Sequence, residues 1–136
     1  MKKLILLIAV ISITACSNGT KDMVNAMKGY WNIETVTLPD GSEREFPFSN
    51  HMDHFEIEGN NGVKNRVSPT YDGGYINYGS PVLFTWETVD GKAVLTFKDG
   101  DGRYQQTLKV CDGKTLILLH ENGTEYIYKA HDNAQE

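Results

Sequence analysis

The chain has 136 residues, with 13 Lys and Arg against 18 Asp and Glu, and 40% of its residues are hydrophobic. This length suits one globular domain and excludes most multidomain enzymes. With 23% charged residues, 10% aromatics and only 4 Pro, the composition also excludes a disordered chain, because a disordered chain has too few core-forming side chains.

The first residues have the composition of an export signal. Lys2 and Lys3 precede a nearly unbroken apolar run over residues 4–13, and small residues follow it. A helix that crosses a bilayer needs roughly 20 apolar residues, about twice this run, so we expect residues 1–15 to be a cleaved leader. No later segment is apolar enough to span a membrane.

The end of the leader carries a more specific pattern. Ile13, Thr14, Ala15 and Cys16 resemble the lipobox of bacterial lipoproteins, in which the signal is cut before a Cys that then carries the lipid. The resemblance implies that Cys16 bears acyl chains such as palmitate and anchors the protein to the membrane. Ser17 after the Cys implies delivery to the outer membrane, lipid-anchored on either face. Ordinary secretion with cleavage after Ala15 is the alternative.

The mature chain is acidic. Removal of the leader takes away Lys2 and Lys3, which leaves 11 basic and 18 acidic residues and a net charge of about minus seven. An acidic surface without a basic cluster excludes nucleic acid as an expected partner. Once Cys16 is lipidated, Cys111 has no intramolecular partner, so the core must hold the fold without a disulfide. Nothing in the sequence indicates an oligomeric state.

From Gly29 onward the pattern is that of β-strands. Residues 17–22 are predicted to form a polar tether, and residues 23–28 one helical turn. Turn signals then recur about every eight to twelve residues, as in all-β sandwiches and barrels. Many of these signals are Asp-Gly or Asn-Gly pairs, which tolerate the positive φ of tight hairpins. The predicted strands are residues 30–38, 52–58, 63–68, 75–78, 82–89, 93–98, 103–110, 115–121 and 124–129.

Several of these segments alternate between apolar and polar residues. The predicted inward sets are Val82, Phe84 and Trp86, then Ala93, Leu95 and Phe97, then Tyr104, Leu108 and Val110. Consecutive hairpins without helical crossovers predict a small antiparallel up-and-down β-barrel of about eight or nine strands, because closure leaves no unpaired edge. Residues 115–119 are apolar on both faces. We therefore expect the turn at 23–28, or another subunit, to cover their outer side.

The start of the first strand resembles a known family. Gly29, Tyr30 and Trp31 after a helical turn match the G-x-W start of lipocalins, in which the Trp closes one end of the barrel. The order of the later strands and turns is similar to the lipocalin-like domains of bacterial lipoproteins. The predicted divisions are 1–15 for the signal peptide, 16–26 for the lipidated Cys and tether, 27–131 for the barrel and 132–136 for a polar tail. Where lipocalins often place an Arg over the Trp, the nearest residue here is Lys129.

Motifs for catalysis and metal binding are weak. His54 shares a strand face with Glu56 and Glu58, but this face is the predicted solvent side. His51 and Asp53 lie nearer a barrel mouth, where they could orient a polar ligand.

Cys111 and His120 show no sign of contact, so a structural thiol is the favoured interpretation. We predict no enzymatic activity, no cofactor and no metal site.

The aromatic residues carry the functional prediction. We expect a non-enzymatic barrel that binds a small apolar ligand against its inner rings. The candidate ligand-binding residues are Trp31, Phe55, Phe84, Trp86, Phe97, Tyr104, Tyr126 and Tyr128. About eight strands leave space for side chains or for one small ligand, so the same rings can instead fill the core. A filled core favours the alternative function, a protein- or glycan-interaction module of adhesin or inhibitor type, with Tyr75 and Tyr78 as rim contacts.

Overall fold

The computed structural model describes residues 14–46 and 52–131 of the chain. Most of the predicted leader, the candidate His51 and the predicted tail at 132–136 lie outside these residues. The described elements are the helix α1 (Thr14–Asn25) and the strands β1 (Gly29–Thr37), β2 (Glu43–Glu45), β3 (Met52–Glu58), β4 (Asn61–Pro69), β5 (Tyr75–Val89), β6 (Lys92–Asp99), β7 (Gly102–Cys111), β8 (Thr115–His120) and β9 (Glu125–Ala130). Within the same part of the chain, no helix is both long and apolar enough to span a lipid bilayer.

The strands form a closed antiparallel barrel, as predicted. From β3 to β9 each strand pairs with the next one in the sequence, and β1 closes the circle by pairing with both β3 and β9. Eight strands make the barrel. The additional strand β2 pairs with the last three residues of β1, 35–37. The sequence pattern does not predict β2, because its three residues are charged and exposed and so show no apolar alternation.

The connection between β5 and β6 shows why an Asp-Gly pair predicts a hairpin turn. Asp90 and Gly91 have φ values of 53° and 79°, and Val89 pairs with Lys92 across them. Positive φ at both central residues is the requirement of a type I′ turn, whose twist matches that of the two strands. The local sequence therefore determines this hairpin.

Helix α1 closes one end of the barrel. Val24 and Met27, within and just after the helix, have no exposed surface and belong to the same apolar cluster as the barrel interior. The Trp31 Nε1–H donates a hydrogen bond to the Met27 carbonyl oxygen at 2.8 Å. The helix also packs against β6 and β7. We call this end of the barrel the closed end.

The helix is longer than the sequence predicts. The segment 17–22 is helical rather than an extended tether, and the helix continues to Asn25. Thr20 and Val24 are both buried and lie four residues apart, so they share the side of the helix that faces the barrel. This burial stabilises a helix that the polar composition does not predict. Because Val24 packs into the core, α1 closes an end of the barrel instead of covering the outer side of β8.

Strand β5 is also longer than predicted. The sequence indicates separate strands at 75–78 and 82–89, but the structure joins them into one. The register with β4 shifts between the two parts, so residues 79–81 lie opposite Asn65 alone. Gly79 has a φ of 77°, which allows the strand to bulge and still pair on both sides.

A second irregularity changes which residues of β7 face inward. The register with β8 shifts between Leu108 and Val110. Beyond the shift Cys111 is buried and Val110 is only half-buried, so the predicted inward position of Val110 is wrong. The extra residue in the bulge moves every later side chain of the strand to the other face.

Gly62 packs directly against the ring of Phe84, so a larger side chain at position 62 tests how tightly the interior is packed. A Cβ on Gly62 would lie 2.1 Å from Cζ of Phe84, whose side chain is buried and has no room to move away. We expect Gly62→Ala to lower the free energy of unfolding by about 1–3 kcal/mol, because overpacking forces the backbone and rotamers to shift. Urea denaturation followed by tryptophan fluorescence measures this loss. Gly102→Ala is the control, since its Cβ would lie 3.5 Å from the Asp99 carbonyl oxygen, and an equal loss in both variants contradicts the prediction.

Candidate ligand site at the open end of the barrel

The two ends of the barrel differ in exposure. Successive connections of an up-and-down barrel alternate between its ends, and α1 lies beside the β5–β6 connection. The other end therefore holds the β4–β5, β6–β7 and β8–β9 connections, and we call it the open end. Inward-facing side chains there are half-buried, whereas Leu95 and Leu116 deeper in the barrel are fully buried. The half-buried residues of the open end are Lys64, Val82, Tyr104, His120 and Tyr126.

A chain of ring contacts runs around the interior. It consists of Tyr128, Phe55, Phe84, Phe97, Tyr104, His120 and Tyr126, in that order, with neighbouring centroids 4.9–6.5 Å apart. The chain begins and ends on β9 after passing through β3, β5, β6, β7 and β8, so it encircles the barrel. Phe55, Phe84 and Phe97 are almost completely buried, which means that other side chains surround them. The protein's own rings thus fill the depth of the barrel.

Tyr104 is the ring of this chain best placed to meet a ligand. It stacks on Phe97 with 4.9 Å between centroids and on His120 with 5.3 Å, at interplanar angles of 12° and 21°. Tyr104 nevertheless remains half-buried, so part of its surface reaches solvent. Because Phe97 and His120 cover its two faces, the part of Tyr104 that reaches solvent is the ring edge with its hydroxyl, which the stacking already holds in place.

A buried carboxylate lies below the rim of the open end. The Tyr128 hydroxyl donates a hydrogen bond to Asp53 Oδ2 at 3.0 Å, and Arg66 Nε lies 3.6 Å from Asp53 Oδ1. The Asp53 side chain is 8% exposed, whereas that of Arg66 is 59% exposed. Burial of a charged carboxylate requires such partners. Asp53 therefore holds Arg66 at the rim while most of the Arg66 side chain stays in solvent.

Lys64 brings a second positive charge to the inner face of the barrel. It lies opposite Phe55 on β3 and Val82 on β5. Its Nζ is 5.3 Å from the centroid of the Phe97 ring and 3.4 Å from the Tyr104 hydroxyl oxygen. Among the described residues, no carboxylate oxygen lies within 4.0 Å of this ammonium group. A ring face and a hydroxyl, rather than a carboxylate, surround the charge.

The tyrosine hydroxyls of the site remain protonated well above neutral pH. Burial, with the nearby charges of Asp99 and Asp53, raises the pKa of Tyr104 to about 12. Burial first, and then the charge of Asp53, raises the pKa of Tyr128 well above its ordinary value. The Tyr104 hydroxyl is therefore a hydrogen-bond donor that a ligand can use.

The structure separates the eight predicted lining residues into groups. Tyr104 and Tyr126 are half-buried at the open end, and Phe55, Phe84, Phe97 and Tyr128 form the buried core. Trp31 belongs to the closed end through its bond to Met27. The Trp86 Nε1–H donates to the Gly59 carbonyl oxygen at 2.9 Å, which places Trp86 at the closed end as well.

The predicted rim residues Tyr75 and Tyr78 belong to strand β5 rather than to a loop, and both are half-buried. Tyr75 stacks on Tyr30 with centroids 4.0 Å apart, and His54 stacks on Tyr30 at 4.2 Å. Tyr30 and His54 are on the outer face, so Tyr75 is too. Tyr78 pairs with Arg66, on the inner face. The two tyrosines therefore do not form one surface.

The other predicted chemical groups lie apart from one another. Cys111 is buried near the closed end, and burial raises the pKa of its thiol to about 11. His120 stacks on Tyr104 at the open end and so is no base for this thiol. Glu56 and Glu58 are exposed on the outer face. No group of three or more His, Cys, Asp or Glu side chains able to hold a metal ion occurs in the described ranges.

Lys64 and Arg66 were missed by the sequence analysis. Both lie in the predicted strand 63–68, two residues apart, so the period of two already placed them on one face together with Gly62. This face carries no apolar side chain, and the pattern therefore did not mark it as the inner one. Only the pairing of Lys64 with Phe55 shows that it faces inward.

A groove of about 600 Å³ lies on the outer face of the barrel. Val63 and the largely exposed Leu83 are neighbours across β4 and β5 and form its apolar part. Glu56 and Glu58 flank one side of it. The opposite side, on β6 and β7, carries the basic Lys98 and Arg103.

The fold and the site define a class of protein, a lipocalin-like barrel with one helix-closed end and one accessible end. The sequence model of the lipocalin-like domain family matches residues 27–118, which is more than half of the chain. The chain belongs to this family.

A lipocalin-like protein from Bacteroides uniformis ATCC 8492 has a similar crystal structure, with a TM-score of 0.50 and 12% sequence identity over 78% of this chain and 99% of that one. At this identity the likeness concerns the fold alone. None of the curated proteins matches the chain.

The buried hydroxyls and thiol predict a loss of stability at alkaline pH. The pKa values of Cys111 and Tyr104 rise from 9.0 and 10.0 to about 11 and about 12. The folded state thus resists an ionisation that the unfolded chain undergoes, so their contribution is complete below pH 9 and is lost as the pH rises toward 12. We expect the urea midpoint to fall from pH 9 upward, with a smaller fall for Tyr104→Phe. A midpoint independent of pH in this range contradicts the prediction.

Proposed function

We propose that this protein is a lipid-anchored, non-enzymatic lipocalin-like protein of the outer membrane, and that it binds a small ligand at the open end of its barrel. The anchor rests on the lipobox-like residues that end at Cys16. The ligand site rests on the half-buried Tyr104, stacked between Phe97 and His120. The ligand is small, with an apolar or ring-shaped body.

The packing of the interior supports a shallow site. Because the core rings fill the depth of the barrel, a ligand lies on the exposed part of Tyr104 and beside Tyr126. Rings that are already stacked lose little conformational entropy when a ligand binds, which favours binding even at modest contact area. Small-molecule sites typically combine such apolar walls with a few polar groups, here Lys64 and the Tyr104 hydroxyl.

A second candidate function is an interaction module that binds a protein through its outer face. The groove beside Leu83 favours it, because this side chain is 55% exposed and lies between acidic and basic flanks. An apolar centre with a charged rim is typical of protein-binding surfaces. The filled core fits this function as well as it fits a shallow ligand site.

Native mass spectrometry tests the first function against the second. We expect the protein purified from its own envelope to carry a small molecule, and Tyr104→Ala to reduce its occupancy about tenfold, which corresponds to about 1.4 kcal/mol. Leu83→Ala is the matched control, and it leaves the bound molecule in place. A bare mass for the wild type contradicts ligand binding, and a partner protein lost only from Leu83→Ala supports the interaction module.

Metabolic labelling tests the anchor separately. We expect the wild type to incorporate labelled fatty acid and to sediment with membranes. Cys16→Ala should lose both the label and membrane attachment, because several acyl chains, each contributing about 0.8 kcal/mol per buried methylene, hold the protein in place. Label that persists in Cys16→Ala contradicts the lipobox interpretation.

A further inference from the structure

The charge of Lys64 is the feature of the open end that an apolar ligand does not use. The ammonium group is on the inner face, half-buried, between the Phe97 ring at 5.3 Å and the Tyr104 hydroxyl at 3.4 Å. Partial burial removes water from an ammonium group, and a nearby anion normally offsets that cost. The interior carboxylate of Asp53 does not fill this role, because Tyr128 and Arg66 already bind it.

Arg66 adds a second cationic group next to the first. It follows Lys64 by two residues on the same strand, and both face inward in register with β3. Its Nε lies 3.6 Å from Asp53 Oδ1, and among the described residues Asp53 is the only carboxylate that forms an ion pair with its guanidinium. Its two terminal nitrogens are therefore available to an anion. Asp99, the other carboxylate that acts on Tyr104, is exposed at the β6–β7 connection, where solvent screens it.

We propose that the ligand of the open end is a small amphipathic anion, whose apolar body lies against the exposed edge of Tyr104 beside Tyr126 and whose carboxylate or similar group binds Lys64. This inference rests on the ligand site proposed above and assigns its chemical class. The short distance from the Lys64 Nζ to the Tyr104 hydroxyl means that a ligand at the hydroxyl-bearing edge of Tyr104 brings its acidic substituent within reach of the ammonium. The protonated Tyr104 hydroxyl and the guanidinium of Arg66 supply further donors to the same anion.

The site is selective because of its charge. The chain has a net charge of −5, so its surface repels anions in general. At the open end Lys64 and Arg66 lie two residues apart on one inner face, and Asp53 balances only one of these two charges. This leaves one unbalanced positive charge, on Lys64, to attract an anion to the barrel interior.

A pair of isosteric probes tests the proposal. 2-Naphthoate and 2-naphthamide share a ring system and differ in the charge of the substituent. We expect isothermal titration calorimetry of the lipoprotein in detergent, with a detergent blank, to show 2-naphthoate binding about tenfold tighter than 2-naphthamide. Lys64→Gln should remove this preference, because it lowers the affinity for 2-naphthoate more than the affinity for 2-naphthamide. Lys98→Gln, on the outer face, is the matched control and keeps the preference.

The outcomes separate this proposal from the ligand site itself. Equal binding of both probes by the wild type overturns the anionic class and leaves the ligand site standing. Binding of neither probe overturns both. Lys64→Arg keeps the charge and is expected to retain the preference, so it shows whether an effect of Lys64→Gln comes from lost charge or from lost folding. A preference that survives in a folded Lys64→Gln variant overturns the role of Lys64.

Discussion

The pairing of β1 with β9 joins the two edges of what is otherwise an open sheet. Once this pair forms, every barrel strand has one face inside a cylinder of fixed width. Eight strands enclose a space that side chains can fill, so the size of the inward residues decides whether any cavity remains. In this chain they include large aromatic rings beside aliphatic side chains such as Leu95 and Leu116, and the chain of ring contacts returns to β9 where it began. Closure of the barrel fixes its width, and the inward side chains then determine how much space remains inside it.

Because the interior is filled, this constraint leaves the ends of the barrel, and not its depth, as the places where a small ligand can enter. Helix α1 occupies one of them, with Val24 and Met27 completing the core. At the other end the inward residues change from buried rings to Lys64, Tyr104 and His120, which are half-buried. A partly polar end is the natural place for a ligand that has both an apolar and a charged part, because each part meets a surface of its own kind.

The two strand irregularities decide which side chains reach that end. The shift in β5 keeps Tyr78 in register with Arg66 although three residues lie opposite one. The shift in β7 brings Cys111 into the core in place of Val110. The two extra residues in β5 leave its inner and outer faces unchanged, whereas the single extra residue in β7 exchanges them, and neither shift changes the order of the strands.

The sequence by itself determined the order of the hairpins, the positions of turns such as Asp90 and Gly91, and the burial of Trp31 at the first strand. These features depend on a few neighbouring residues, through backbone φ and the alternation of apolar side chains. Only the tertiary structure decided the length of α1, the exchange of Val110 for Cys111 in the core, and the meeting of Lys64 with Tyr104 and Phe97. Those features depend on contacts between distant strands, whose register and closure no short stretch of sequence specifies.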